Sequence, residues 1–178
     1  VPLVLPPMVG GVALLFLFGR RGWVGSLLAE AGMALPFTTT AVIMAQTFVA
    51  LPFLVLAVEG SLRATGTDLE QVAAGLGAGR WVILSRVTLP LAAPGLIAGV
   101  VLSFARAIGE FGATALFAGN APGVTQTMPL AIYTAFNGAG VTQGTAVALS
   151  LLLLVTGLAV LLLVRGWRGE APRRGVPG

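Results

Sequence analysis

The stretch "LEQVAAGLGAGRWVILSRVTLP", Leu69 to Pro90, decides how this chain is read. It carries Glu70, Arg80 and Arg86, whereas the runs it joins, Phe37 to Val58 and Val87 to Ala105, contain no charged side chain. Each run is close to the length a helix needs to cross a hydrocarbon core, about 20 residues for about 30 Å. A charged insert between two such runs is a loop between membrane spans.

Outward from this loop lie two more charge-free runs, Val1 to Gly19 and Gly144 to Val164. The composition agrees: 57% of residues are hydrophobic and 9% charged, where soluble domains average about 25% charged, and mean hydropathy is +0.99. The fold class is therefore an all-α integral membrane protein, a multi-span helical bundle with four spans. Pro2, Pro6 and Pro7 shorten the regular helix of the first run, and Pro52 is a candidate kink in the second. The chain opens at Val1 inside an apolar run, with neither an initiator methionine nor a basic segment of signal-peptide type, so an N-terminally truncated membrane domain is expected. Residues 1–164 form the spanning domain, with a loop over 60–88, and residues 165–178 form a solvated tail.

All ten basic residues are arginine, and lysine, histidine and cysteine are absent. A Walker A phosphate loop requires its lysine, so the chain carries no ATP site of that type. Zinc sites built on His or Cys, His-ligated haem, and Ser-His or Cys-His catalysis are excluded on the same ground. No catalytic residue, metal ligand or cofactor is expected, and the chain is not read as an enzyme.

The arginines also orient the chain. With the 60–88 loop in the cytoplasm, four spans place the tail there too, so Arg63, Arg80, Arg86, Arg165, Arg168, Arg173 and Arg174 face inward, against Arg20 and Arg21 outside. That asymmetry follows the positive-inside rule, and Trp81, Trp167 and Trp23 fall near the two interfaces.

Within the insert, Leu69, Val72, Ala73 and Leu76 recur at i, i+3, i+4 and i+7, which predicts one apolar face on a helix over Leu69 to Gly77. Thr67 and Glu70 have capping-box spacing, and Gly77 suits a left-handed stop. A helix this short is marginal alone and is expected to dock against something. The following "RWVILSRV" is expected to fold back on the membrane face. Periodicity alone fits equally an interfacial helix that merely connects two spans.

The same stretch resembles the EAA loop of ABC-transporter permeases: E-A-A, three residues, Gly, nine residues, I-x-L-P. Gln71, Val72 and Ala73 occupy the triplet, Gly77 follows at the family's spacing, and Val87, Leu89 and Pro90 close it. Gln71 stands in place of Glu and Val72 in place of Ala, while Glu70 keeps an acidic group beside them. The resemblance implies a coupling helix, with Glu70, Gln71, Val72, Ala73, Gly77, Leu89 and Pro90 engaging a cytoplasmic ATPase.

Further on, Arg106 and Glu110 interrupt an apolar run. A charge at the centre of a span costs about 2.5–3.5 kcal/mol on insertion scales, so each needs a partner, a wet cavity or a shallower position. They stand at i and i+4 and can pair, although Arg before Glu is the weaker order. A helix unbroken from Leu89 to Ala118 would be about 45 Å long, beyond the membrane thickness, and Gly109, Gly112 and Gly119 offer places for it to stop. Arg106, Gly109, Glu110, Gly112 and Thr114 are thus read either as a structural pair at a helix break or as part of a translocation path or gate.

The run "GEFGATALFAGNAPGVTQTMPLAIY", Gly109 to Tyr133, resembles molybdate and tungstate importer permeases, which share "GEFGAT" followed by "GN-x-PG-x-T-x-T-x-P-x-AIY". Sulfate permeases share the "GEFGA" portion and diverge after it. The resemblance implies a permease core of five or more spans, of which four are present here. It also implies a second permease subunit, two cytoplasmic ATPase subunits and an extracytoplasmic oxyanion-binding protein as partners, with membrane lipid around the bundle and no nucleic acid. An ATP-independent transporter or channel would instead call for broken helices in related halves, a symmetry this sequence lacks. An intramembrane enzyme would lack a base to activate its nucleophile.

Overall fold

The computed structural model describes residues 4–138 and 143–168, and every regular element among them is helical. In chain order these are α1 (Pro7–Phe18), α2 (Trp23–Glu30), α3 (Thr39–Thr65), α4 (Asp68–Gly75), α5 (Arg80–Ile83), a π-helical turn (Leu84–Thr88), α6 (Leu89–Ile108), α7 (Gly112–Phe117), α8 (Met128–Phe136) and α9 (Gln143–Arg168). Three stretches are long and apolar enough to cross a membrane singly: Thr39–Thr65, Arg80–Ile108 and Gly144–Leu163. The all-α multi-span class is the one the sequence predicts. The tail from 169, with Arg173 and Arg174, and the side chains of Arg165, Trp167 and Arg168 lie outside the described residues.

The first span differs from expectation. Helix α1 has only 12 residues, about 18 Å at 1.5 Å per residue, and it reaches spanning length only together with α2, across a bend of 44°. Glycines make the bend. A Cβ on Gly25 would stand 1.9 Å from the Gly19 carbonyl oxygen, and one on Gly22 would stand 2.2 Å from that of Phe16. Backbone packs directly on backbone there, with Arg20 and Arg21 in the turn.

The third span also differs. "RWVILSRV" does not fold back on the membrane face; it forms the opening turns of one helix running from Arg80 to Ile108. The reason lies in Pro90, whose ring would meet the carbonyl of Arg86 in a regular α-helix. The widened turn at Leu84–Thr88, closed by the Leu89 N–H donating to the Leu84 carbonyl, supplies the extra residue that lets the helix continue.

The chain divides into two compact units. One comprises 1–52 with 103–156, and the other 53–102 with 157–178. The core of the first is Leu14, Ala41, Ala45, Val49, Ala113, Phe117 and Ala118, flanked by Leu15, Phe18 and Phe48. Small residues bring its helices close: a Cβ on Gly11 would lie 2.7 Å from the Ala113 Cα, an approach typical of helix pairs packed in lipid. In the second unit Ser61 Oγ donates to the Ala92 carbonyl at 3.0 Å, tying α3 to α6, while Gly99 admits the Ala57 methyl. Helix α9 shows its leucines almost all round; Leu151, Leu154, Leu158 and Leu161 to Leu163 are exposed, a surface that lipid solvates. Trp23 and Trp81 are likewise exposed, as interfacial anchors are.

Candidate functional site

The loop between the second and third spans is built around α4. Its first turn carries Asp68 and Glu70, favourable at the positive end of the helix dipole. The stop is a Schellman motif: Gly77 has φ +84°, its N–H donates to the Ala74 carbonyl at 2.9 Å, and the Ala78 N–H donates to the Ala73 carbonyl at 3.0 Å. The glycine stop is thus where the sequence places it.

The start is not. Thr67 holds a helical conformation (φ −112°, ψ 0°) and makes no side-chain cap bond, so the expected capping box does not form. Gln71 Nε2 donates to Thr67 Oγ1 at 3.2 Å instead. Glu70 turns away to accept a 2.5 Å hydrogen bond from Thr88 Oγ1, 18 residues further on. Glu70 and Gln71 line one open groove of about 530 Å³ with Thr67, Arg80, Leu84 and Thr88. Val72 and Ala73 line another, of about 370 Å³, with Leu69, Leu76, Arg86 and Pro90. The apolar face stays uncovered: Leu76 is 84% exposed and Val72 61%. Leu89 is exposed at the head of α6.

The second expected cluster sits where α6 stops. Arg106 Nη1 pairs with Glu110 Oε2 at 2.7 Å, and the glutamate side chain is 1% exposed against 25% for the arginine. The other oxygen of Glu110 accepts the Ala113 N–H at 2.8 Å. One buried carboxylate therefore holds the last turn of α6 and caps the first turn of α7. Sequence reasoning finds the ion pair but misses the cap, whose one local signal is Gly112, two residues past Glu110. Gly109 is exposed; Gly112 and Thr114 are buried. The hydroxyls of Ser103, Thr114 and Thr127 are buried without a hydrogen-bond partner among the described residues.

The "GNAPGVTQTMP" segment, Gly119 to Pro129, is an internally bonded turn. Asn120 Nδ2 donates to Thr134 Oγ1 at 2.8 Å, Gln126 Nε2 donates to Asn120 Oδ1 at 3.0 Å, and the Ala121 N–H donates to Thr125 Oγ1 at 2.9 Å. Phe37 faces it with φ +63°, strained for a bulky residue, its N–H donating to the Phe117 carbonyl at 3.2 Å. No sequence signal marks Phe37. Among the described residues no cluster of three or more acidic side chains could hold a metal ion.

Comparison with known proteins gives the family. Residues 1–168 match the family described as "Binding-protein-dependent transport system inner membrane component". The chain is 55% identical over 162 residues to the molybdenum transport system permease protein ModB of Mycobacterium tuberculosis, covering 90% of this chain and 60% of that protein. It is 41% identical over 174 residues to ModB of Escherichia coli K12, covering 97% and 75%. It is 37% identical over 163 residues to the sulfate transport system permease protein CysW of Synechococcus elongatus, covering 92% and 56%. The chain thus spans three-fifths of the length of its mycobacterial relatives. With a helical bundle of spanning length and a closed helical loop between its second and third spans, the chain belongs to the family of binding-protein-dependent transport system inner membrane components.

Proposed function

We propose that this chain is the permease subunit of an ATP-driven importer that carries molybdate or tungstate across the cytoplasmic membrane. The observation that carries the reading is α4: a short helix between two spans, stopped at Gly77 by a Schellman motif, its apolar face left open. Exposed Leu69, Val72 and Leu76 need a partner surface, and a cytoplasmic ATPase supplies one. In this reading Glu70, Gln71, Val72, Ala73, Gly77, Leu89 and Pro90 form the coupling surface, the 60–88 loop and the 165–178 tail face the cytoplasm, and residues 1–164 make the spanning domain. A second permease subunit completes the pathway, two ATPase subunits drive it, and an extracytoplasmic binding protein delivers the anion. Binding of ATP by the partners draws the coupling helices together and opens the pathway outward; hydrolysis resets it. The chain itself performs no chemistry.

Arg106, Gly109, Glu110, Gly112 and Thr114 are the proposed gate region. The tie of Arg106 to a buried carboxylate favours a structural pair at the break between α6 and α7. The partial exposure of its guanidinium leaves a positive edge for a passing dianion. Molybdate is supported by the identity to two molybdenum transport system permease proteins; tungstate stands beside it as an oxyanion of the same charge and shape. Sulfate is the second reading, favoured by the 37% identity to CysW.

The test is to purify the full-length protein with candidate ATPase subunits and measure ATP hydrolysis with binding protein loaded with molybdate, tungstate or sulfate. Stimulation by the first two is expected. Stimulation by sulfate alone would move the assignment to the second reading, and failure to capture any ATPase would remove the coupling role of α4.

A further inference from the structure

We infer that Glu70 and Thr88 form a clasp that positions α4 against the head of the third span, and that this hydrogen bond transmits movement of α4 into α6. The inference rests on the coupling role proposed for α4. Packing holds that helix only loosely: no residue of α4, α5 or the π turn is fully buried, and open grooves flank α4. Both partners of the Glu70–Thr88 bond line the first of those grooves. At 2.5 Å and partly shielded from solvent, it belongs to the short, charge-assisted class of hydroxyl-to-carboxylate bonds.

Two further observations give the bond a purpose. Glu70 stands three residues after Thr67, where a carboxylate ordinarily closes a capping box, and it forgoes that local bond for a distant one. A local rule broken without local gain marks a functional position. Thr88, in turn, is the last residue of the π turn, immediately before α6. Such turns concentrate at functional sites. A pull on Glu70 therefore acts at the one widened turn among the described residues of that span.

The test uses the full-length protein in lipid, with any cysteine outside these 178 residues, which contain none, replaced by serine. Spin labels on Gly75→Cys and Ser85→Cys, both at exposed positions, report the distance between α4 and the span head without any ATPase. A single narrow distribution is expected for the parent. Thr88→Val, which keeps the shape and removes the hydroxyl, is expected to broaden it, and Thr88→Ser to keep it narrow. In proteoliposomes with the ATPase and molybdate-loaded binding protein, ATP consumed per anion is expected to rise severalfold in Thr88→Val and to return to the parent value in Thr88→Ser. If Thr88→Val does not insert, Glu70→Ala breaks the same bond from its other side. An unchanged distance distribution in the bond-breaking variant overturns the clasp, and a broadened one with unchanged ATP per anion overturns its role in transmission. If the parent captures no ATPase, the coupling reading and the transmission role fail together, while the spin-label arm still decides whether the clasp positions α4.

Discussion

The loop around Glu70 and the helix break around Glu110 are both places where one carboxylate ties two helical segments together, and they differ in what surrounds the carboxylate. Glu110 is 1% exposed, with partners four residues before it and three after. Glu70 is only partly covered, and its partner is 18 residues away. The break is held by a buried, doubly satisfied charge, which makes it rigid: removing one member leaves the other uncompensated. The loop is held by one tertiary side-chain bond without a fully buried core, so it yields more easily than the break. The proposed transport role calls for both, a fixed interruption and a movable element where a partner pushes.

The comparison is tested most decisively by sidedness. Single cysteines at Ser85, beside the loop, and at Val124, beyond the break, both exposed, are expected to react with impermeant reagent from opposite faces of intact membranes, an all-or-none result. Labelling from one face would overturn the proposed orientation.

The next largest effect lies at the break. Arg106→Gln leaves Glu110 buried and unpaired and is expected to destabilise the subunit by about 3–5 kcal/mol, read as loss of cooperative unfolding in detergent. Arg106→Gln combined with Glu110→Gln is expected to recover most of that stability. Uptake of molybdate then separates the roles: recovered stability with uptake still lost supports an anion-path role, and recovery of both makes the pair structural.

The loop is expected to respond more mildly and in a different assay. Gly77→Val places a β-branched residue at φ +84°, where left-handed geometry costs about 1–2 kcal/mol for an L-residue. No atom lies within 4 Å of the new Cβ, so the strain is purely of the backbone. Insertion is expected to survive while ATPase capture weakens, and Gly77→Asn, better tolerated in that conformation, is expected to retain capture. Equal capture by both variants would show that the stop is not needed for docking.

The smallest effect is expected at Thr67. An ordinary N-cap threonine contributes about 1 kcal/mol, but Thr67 makes no cap bond, so Thr67→Ala is expected to change stability by less than about 0.5 kcal/mol. A full capping loss in thermal unfolding would mean that the box forms in solution.

How much was legible follows from where the deciding interactions lie. Arg106 and Glu110 are four residues apart, and their pairing can be read because a helix brings i and i+4 together. The Gly77 stop is local in the same sense. The partner of Glu70 was not legible: three residues away stood Thr67, a chemically adequate alternative, and only the return of the chain at Thr88 made the distant bond available. Phe37 and Gly119 are likewise brought together across 82 positions, with nothing in either neighbourhood to announce it.

By itself the sequence determined what a bilayer enforces residue by residue: charge-free runs of spanning length, a charged loop between two of them, an arginine asymmetry, and a glycine where a short helix must end. These are local or additive quantities, sums of transfer free energies and single-residue conformational preferences. The tertiary structure alone decided that the first run breaks at Gly19 to Gly22, because that bend exists only where backbone packs on backbone. It alone decided that the third span begins at Arg80, because a π turn absorbs the misfit ahead of Pro90. It alone handed Glu70 to Thr88. Each of these is a competition between a local and a distant contact of similar free energy, and such a competition is settled only when the whole chain is in place.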